Sequence, residues 1–340
     1  MVASEEGRPR AGIPRRVVLQ AGMAAGLTAI ARPLWAQAAQ APVVVITGTS
    51  SGFGCLMAEG FARQRARVFA TMRDVGGRNA PAARALDALA EDGLSLDVVE
   101  IDVLSDESVG KGISGVIDAA GRIDLLVSNA GIVVPGPVEL QPPAWFGANL
   151  ETNLNGALRM YRAVLPHMRA QRAGTIIQMS SALGRAIDPM LGGYCASKLA
   201  VEAAADALAY EVAASNIEVI VVQPAGAYPT ELQANAVRNW ERMLSDLPQA
   251  ERARTEPYSR HIEAMLADLT PDPALDPKEV ADAVIALSAM EFGKRPARLT
   301  VGPYKDGIDP VNAAHDQLQT EMISHNRIAD LLTLQPQQQR

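Results

Sequence analysis

The sequence predicts an α/β fold: a doubly wound parallel sheet, one domain, with a helical lid insertion. Three observations carry this. Short apolar runs alternate with helical patterns from Pro42 onward, giving six strands in order. A glycine-rich turn joins the first run to the first helix. The 340 residues are globular in composition, 48% hydrophobic and 20% charged, which excludes a disordered, collagen-like or coiled-coil chain.

The elements follow in order. Val43–Thr47 is a continuous β-branched run, the pattern of a strand covered on both faces. Gly52 to Arg65 reads as a helix and Arg67–Thr71 as the second strand. Pro81–Glu91 is a helix with Pro81 suited to its first turn. Leu96–Ile101 alternates as a third strand, and Asp106–Ala120 is a helix. Asp124–Ser128 is the fourth strand, Pro142–Gln171 one long helical region, and Thr175–Ser180 the fifth strand. Gly193–Ser215 is an Ala-rich helix ending near Asn216, and Ile217–Gln223 the sixth strand. Residues 227–270 break the alternation, with Trp240, Met243, Leu244, Leu247 and Met265 set among charges, and read as a helical insertion over the site mouth. Leu275–Met290 is a further helix, Ala297–Val301 an edge strand, and 303–340 a C-terminal extension with a surface helix and a Gln-rich tail.

Residues 1–38 have a different character. Arg15-Arg16 precedes 15 uncharged, Ala/Gly-rich residues, too few and too weakly apolar for a membrane span of about 20. They suit the apolar region of a signal peptide, and Ala36-Gln37-Ala38 offers small residues for cleavage. The Arg pair followed by Val18-Leu19-Gln20 resembles a twin-arginine export signal, which implies a periplasmic location; the alternative is a cytoplasmic protein with a chance Arg pair in its tail. Net charge is −7, and −10 once the five arginines and two glutamates of 1–38 are removed. That acidity speaks against a nucleic-acid partner. Two cysteines exclude a disulfide scaffold, and no Cys/His spacing suggests a metal site.

The first strand ends in Thr47-Gly48-Thr49-Ser50-Ser51-Gly52-Phe53-Gly54. Glycines between a strand and a helix let the backbone approach a pyrophosphate at the helix N-terminus. The G-x-x-x-G-x-G spacing resembles that of the short-chain dehydrogenase/reductase family, and further motifs strengthen the resemblance. Asp102-Val103 follows the third strand and Asn129-Ala130-Gly131 the fourth. Asn153 stands in the next helix, Ser181 lies 13 residues before Tyr194, and Tyr194-Cys195-Ala196-Ser197-Lys198 supplies the family's Tyr-x-x-x-Lys. The match spans roughly residues 42–302, which leaves 39–302 as one dinucleotide-binding catalytic domain of Rossmann type. One departure is visible: Pro224-Ala225-Gly226 has an extra Ala, while Thr230 keeps its distance from Gly226.

The resemblance implies an oxidoreductase moving a hydride between a nicotinamide and a carbonyl or secondary alcohol. Tyr194 would be the general acid/base, Ser181 would hold the substrate oxygen, Lys198 the nicotinamide ribose, and Asn153 a water for proton relay. Independently of the family, Tyr194 and Lys198 at i,i+4 share a helix face, and a nearby ammonium is expected to lower a phenol pKa. Gly48, Ser50, Ser51, Gly52, Phe53 and Gly54 would cradle the cofactor, with Asp102 and Val103 at the adenine. Asn129, Ala130, Gly131, Tyr194, Lys198, Pro224, Gly226 and Thr230 would complete its site.

Met72 stands where an acidic residue would select NAD, and Arg73 follows, so NADP(H) is expected; the competing reading makes Asp74 the ribose ligand of NAD(H). Cys55 and Cys195 read as small packing residues. Leu183, Ile187, Pro189, Met190 and Leu191 suggest a modestly hydrophobic substrate or simply a packed loop. The family resemblance further implies a homodimer or homotetramer. A non-catalytic nucleotide-binding sensor is the alternative class, although no residue of the Asn153–Ser181–Tyr194–Lys198 set is missing.

Overall fold

In a computed structural model, residues 41–334 are described; the twin-arginine segment lies outside them. The chain runs β1 (Val43–Thr47), α1 (Gly52–Arg63), β2 (Arg67–Met72), α2 (Ala80–Glu91), β3 (Leu96–Glu100), α3 (Asp106–Ala120) and β4 (Leu125–Ser128). Then come α4 (Pro143–Leu150), α5 (Gly156–Gln171), β5 (Gly174–Met179), α6 (Gly192–Ala213) and β6 (Ile217–Pro224). The chain continues with α7 (Glu231–Asp246), α8 (Gln249–Arg252), α9 (Ser259–Asp268), α10 (Pro277–Ala289), β7 (Arg298–Val301) and α11 (Lys305–Ser324). The strands form one parallel sheet in the order β3-β2-β1-β4-β5-β6-β7.

β1 is buried throughout, and apolar up to Thr47, because helices cover both faces of the sheet. Val44 and Ile46 pack in one core with α1 and α10, whereas Val43 and Val45 pack in the other with α3, α5 and α6. Gly60 lets α10 approach α1, since a Cβ there would stand 2.4 Å from Ile285 Cδ1. Local chemistry sets the helix ends. Ser105 Oγ accepts the Ser108 N–H to cap α3, which ends at Gly121 with φ +72°. Asp276 caps α10 ahead of Pro277.

The predicted elements are all present, with bounds that move by a few residues. β2 extends to Met72, whose side chain is buried. The expected single helix over 142–171 is interrupted: residues 151–155 form a π-helical turn between α4 and α5. Such a turn inserts one residue and re-aims side chains, and it is common at functional sites. The insertion is helical as expected, in α7 to α9, and Trp240, Met243 and Met265 bury against Val134. α11 is more than a surface helix, because Ile308 and Asn312 are buried.

β1 and β4 are neighbours, with the chain turning outward in opposite directions from them. A crevice therefore opens at their carboxyl ends, where doubly wound sheets bind ligands.

Candidate active site

That crevice is a cleft of about 320 Å³ lined from the carboxyl ends of the strands. Every sequence-predicted cofactor residue lines it except Gly54. Gly54 acts by its lack of a side chain, since a Cβ there would come within 2.2 Å of the Gly48 carbonyl oxygen and 2.7 Å of Asn129 Nδ2. It permits the close seating of α1 on β4. Gly48 (φ +70°) and Gly52 (φ +55°) hold backbone conformations that side chains resist. The turn is stapled beneath: Asn129 Nδ2 donates to the carbonyls of Thr47 (2.9 Å) and Gly48 (3.2 Å), and Thr47 Oγ1 accepts the N–H groups of Asn129 and Ala130.

The glycine turn suits a dinucleotide. Ser51 precedes α1 without a side-chain capping bond, and no acidic residue stands in the first turn. The first-turn N–H groups and the positive end of the helix dipole are thus open to an anion. On the second strand's side, Arg73 and Arg78 both line the cleft. Asp74 (φ +51°) turns away into its own loop, its Oδ2 accepting the Arg78 N–H at 2.8 Å. Asp102 lines the cleft while its Oδ1 accepts the Leu104 N–H at 3.0 Å, so it serves its own turn as well. The extra Ala225 is absorbed by the sheet: its N–H donates to the Val301 carbonyl (2.7 Å) and its carbonyl accepts from Tyr304 N–H (3.2 Å).

Three of the four predicted catalytic residues, Ser181, Tyr194 and Lys198, meet in the cleft, and the fourth stands behind it. Ser181 and Tyr194 line the cleft, and the Ser181 hydroxyl stands near enough to the phenol to lower its pKa in part. Ser181 Oγ also accepts the Leu183 N–H at 3.1 Å, which fixes its rotamer. Lys198 is buried, donates to the Met179 carbonyl at 3.1 Å, and keeps further N–H donors. Asn153, on the π-helical turn, does not line the cleft. Its Oδ1 accepts the Ile132 N–H (2.8 Å), and its Nδ2 donates to the Ile132 carbonyl (3.0 Å) and to Ser197 Oγ (2.9 Å). It thereby ties the segment after β4 to α6, with one Oδ1 lone pair left over.

The expected lowering of the Tyr194 pKa by Lys198 is corrected. Burial pushes the phenol up to about 12, and only the Ser181 hydroxyl pulls it back. The Lys198 ammonium lies 5.7 Å from the ring centre and is itself pulled down to about 8 by burial, against the opposing charge of Glu202. Desolvation outweighs the pull of Ser181 on the phenol and of the Glu202 charge on the lysine.

Tyr194 sits in an apolar cluster with Val133 and Ala236, against which Leu183, Leu191, Leu232 and Leu269 pack; of these six residues Leu232 lines the cleft. Of the predicted loop residues, Leu183 and Leu191 therefore pack in the Tyr194 cluster without lining the cleft, Ile187 is exposed, and Met190 packs with the Trp240 cluster. Residues missed from the sequence include Arg78, Tyr228 and, on α7, Asn235, Asn239 and Arg242. Tyr228 packs edge-on against Phe53 with ring centres 5.5 Å apart. A second arginine within a few residues of Arg73 was a readable signal; the α7 residues had none, since their approach depends on how the insertion folds back. Cys55 and Cys195 are free thiols, and among the described residues no cluster could hold a metal ion.

The pattern described as short chain dehydrogenase matches residues 42–241. The chain belongs to this family. It is an NAD(P)-dependent oxidoreductase. It is 36% identical to human retinol dehydrogenase 8 over 227 residues, 66% of this chain and 68% of that one. The fold superposes on a metagenomic short-chain oxidoreductase in complex with NADP, with a TM-score of 0.58 and 25% identity, covering 77% of this chain and 97% of that one. It also superposes on a 3-ketoacyl-(acyl-carrier-protein) reductase from Brucella melitensis complexed with NADH (TM-score 0.58, 27% identity, 76% and 96% covered).

Proposed function

We propose that this short-chain dehydrogenase moves a hydride between NADP(H) and an apolar carbonyl or secondary alcohol, with Tyr194 exchanging the proton on the substrate oxygen. The observation that carries the reading is that Ser181, Tyr194 and Lys198 line one cleft, with Tyr194 set in an apolar cluster one helical turn from Lys198. When bound, the nicotinamide supplies or accepts the hydride. The phenol, pushed up to about 12, is protonated at neutral pH and is poised as the general acid of reduction. Ser181 donates to the substrate oxygen and steadies the charge that develops there. Lys198 turns its remaining donors to the ribose hydroxyls, and Asn153 holds a water on its remaining lone pair.

The glycine turn and the start of α1 would hold the pyrophosphate, and Arg73 and Arg78 the 2′-phosphate. Three facts support NADP(H) over NAD(H): Met72 is apolar and buried, both arginines line the cleft, and the Asp74 carboxylate closes its own turn. The apolar cluster around Tyr194, which reaches the cleft at Leu232, and the likeness to a retinol dehydrogenase support a hydrophobic substrate.

The test is a panel of apolar ketones and secondary alcohols with both cofactors, run with wild type and Tyr194→Phe. Cofactor binding without Tyr194-dependent turnover would favour the sensor reading instead. We further propose export by the 1–38 segment with the cofactor already bound, checked by cell fractionation, and a homodimer or homotetramer, checked by light scattering.

A further inference from the structure

Beyond Lys198, on the next turn of α6, Glu202 is buried without any exposed surface. Its carboxylate gathers donors from several elements. Ser180 Oγ donates to Oε1 at 2.7 Å, and Gln223 Nε2, at the end of β6, donates to Oε1 at 2.9 Å and Oε2 at 3.1 Å. The guanidinium of Arg185 lies 3.1 Å from Oε2, and Arg298 of β7 approaches to 3.5 Å. Gly184 is needed there, because a Cβ would stand 2.3 Å from Oε1. Asn312 of α11 closes the circuit: its Nδ2 donates to Gln223 Oε1 at 2.7 Å, and its Oδ1 accepts from Arg185 Nε at 3.0 Å.

These partners bracket Ser181. Ser180 precedes it, Arg185 lies in the loop that follows it, and Glu202 sits on the helix that carries Tyr194 and Lys198. A buried carboxylate costs several kcal/mol unless it is fully paired, and replacing such a network by apolar residues is often neutral for stability. What a hydrogen-bonded network does supply is a single geometry for the groups it holds, here through Ser180, Gln223 and Asn312, while Arg185 Nη2 and Arg298 Nε approach Glu202 as charges without a hydrogen bond.

We propose that Glu202 is a positioning residue for Ser181, Tyr194 and Lys198, and that α11 belongs to the same scaffold through Asn312. The activity arm of the test rests on the redox reading above; the exchange arm does not. A shift of about 1 Å in a reacting group costs on the order of 10²-fold in rate, so a loosened Ser181 lowers kcat while the distant glycine turn still binds cofactor.

The experiment compares full-length wild type with Glu202→Gln, Arg185→Gln and Asn312→Ala. It measures kcat and KM with NADPH, NADPH binding by its fluorescence, and amide hydrogen exchange over 180–191 and over β1. The expected result is faster exchange over 180–191 with β1 unchanged, kcat lower by about 10- to 100-fold, and NADPH affinity within about threefold of wild type. Glu202→Gln alone also moves the alkaline limb of the kcat/KM profile to lower pH, because Lys198, whose other neighbours are the Tyr194 ring and the Met179 carbonyl, loses its one favourable charge. Unchanged exchange over 180–191 in the folded variants overturns the proposal, as does loosening there with kcat intact. Should Glu202→Gln not fold, Arg185→Gln and Asn312→Ala decide the matter. Should wild type show no Tyr194-dependent turnover, the functional reading falls and the exchange data alone decide this one.

Discussion

Lys198 Nζ lies 5.7 Å from the centre of the Tyr194 ring, and burial moves the two groups in opposite directions, the ammonium down to about 8 and the phenol up to about 12. Between those values the phenol still carries its proton while the lysine has lost its charge. The kcat/KM for carbonyl reduction is therefore expected to be flat below about pH 8 and to decline above it. Lys198→Arg, which keeps its charge, should remove that decline; a profile falling identically in both proteins would show that another group controls it.

The same burial has a stability consequence. The folded-state pKa of Lys198 lies below its ordinary 10.5, so between pH 8 and 10.5 the unfolded chain binds more protons and stability rises with pH. The lysine's contribution is present above 10.5 and is lost as pH falls through about 8. Lys198→Met should accordingly gain most over wild type near pH 7, by up to about 3 kcal/mol, and little near pH 10.5. Urea unfolding at the two pH values measures the difference.

Tyr194→Phe removes one hydroxyl and its interaction with Ser181. Turnover should fall by at least about 10²-fold, while stability changes by about 1 kcal/mol or less. Steady-state kinetics beside thermal unfolding separates the two effects. Equal loss of both would mean that the hydroxyl is structural.

Arg73 and Arg78 line the cleft from the turn after β2, and Arg78 donates to Asn235 of α7 at 3.1 Å, a neutral partner. Losing one charge-assisted bond to a phosphate costs about 1.5–3 kcal/mol. Arg73→Ala should therefore weaken NADPH by roughly 10- to 100-fold and leave NADH nearly unchanged. The ratio of kcat/KM for the two cofactors is the measurement, and a preference for NADH in both proteins would sink the NADP(H) assignment.

Two glycines are expected to answer oppositely to alanine. At Gly54 the new Cβ meets backbone at 2.2 Å, so Gly54→Ala should cost about 1–3 kcal/mol and disturb dinucleotide binding. At Gly115 of α3 nothing lies within 4 Å, and Gly115→Ala should stabilise by about 0.5–1 kcal/mol without touching binding. Thermal unfolding with and without NADPH reads both.

Much of the fold was legible because its signals are local. β1 reads as doubly covered from four consecutive apolar residues and a threonine, all β-branched, and the Gly48–Gly54 turn announces itself by spacing. Ser181, Tyr194 and Lys198 were legible too, since fixed spacings along one helix and one loop carry them. Asn153 was found, but its π-helical turn was not: the turn re-aims one residue with no change in composition that could mark it. Arg78 was missed although it stands five residues from Arg73.

By itself the sequence determined the alternation of elements, the glycine turn and the spacing of Ser181, Tyr194 and Lys198, because each depends on neighbours along the chain. Only the tertiary structure decided the electrostatics and the support. Desolvation depends on what packs around a side chain, so it alone set Tyr194 above and Lys198 below their ordinary values. Glu202 reads in sequence as one more charge on a helix. Its meeting with Ser180, Arg185, Gln223 and Arg298, and through two of them with Asn312, spans more than a hundred residues of chain and exists only where β5, β6, β7 and α11 converge.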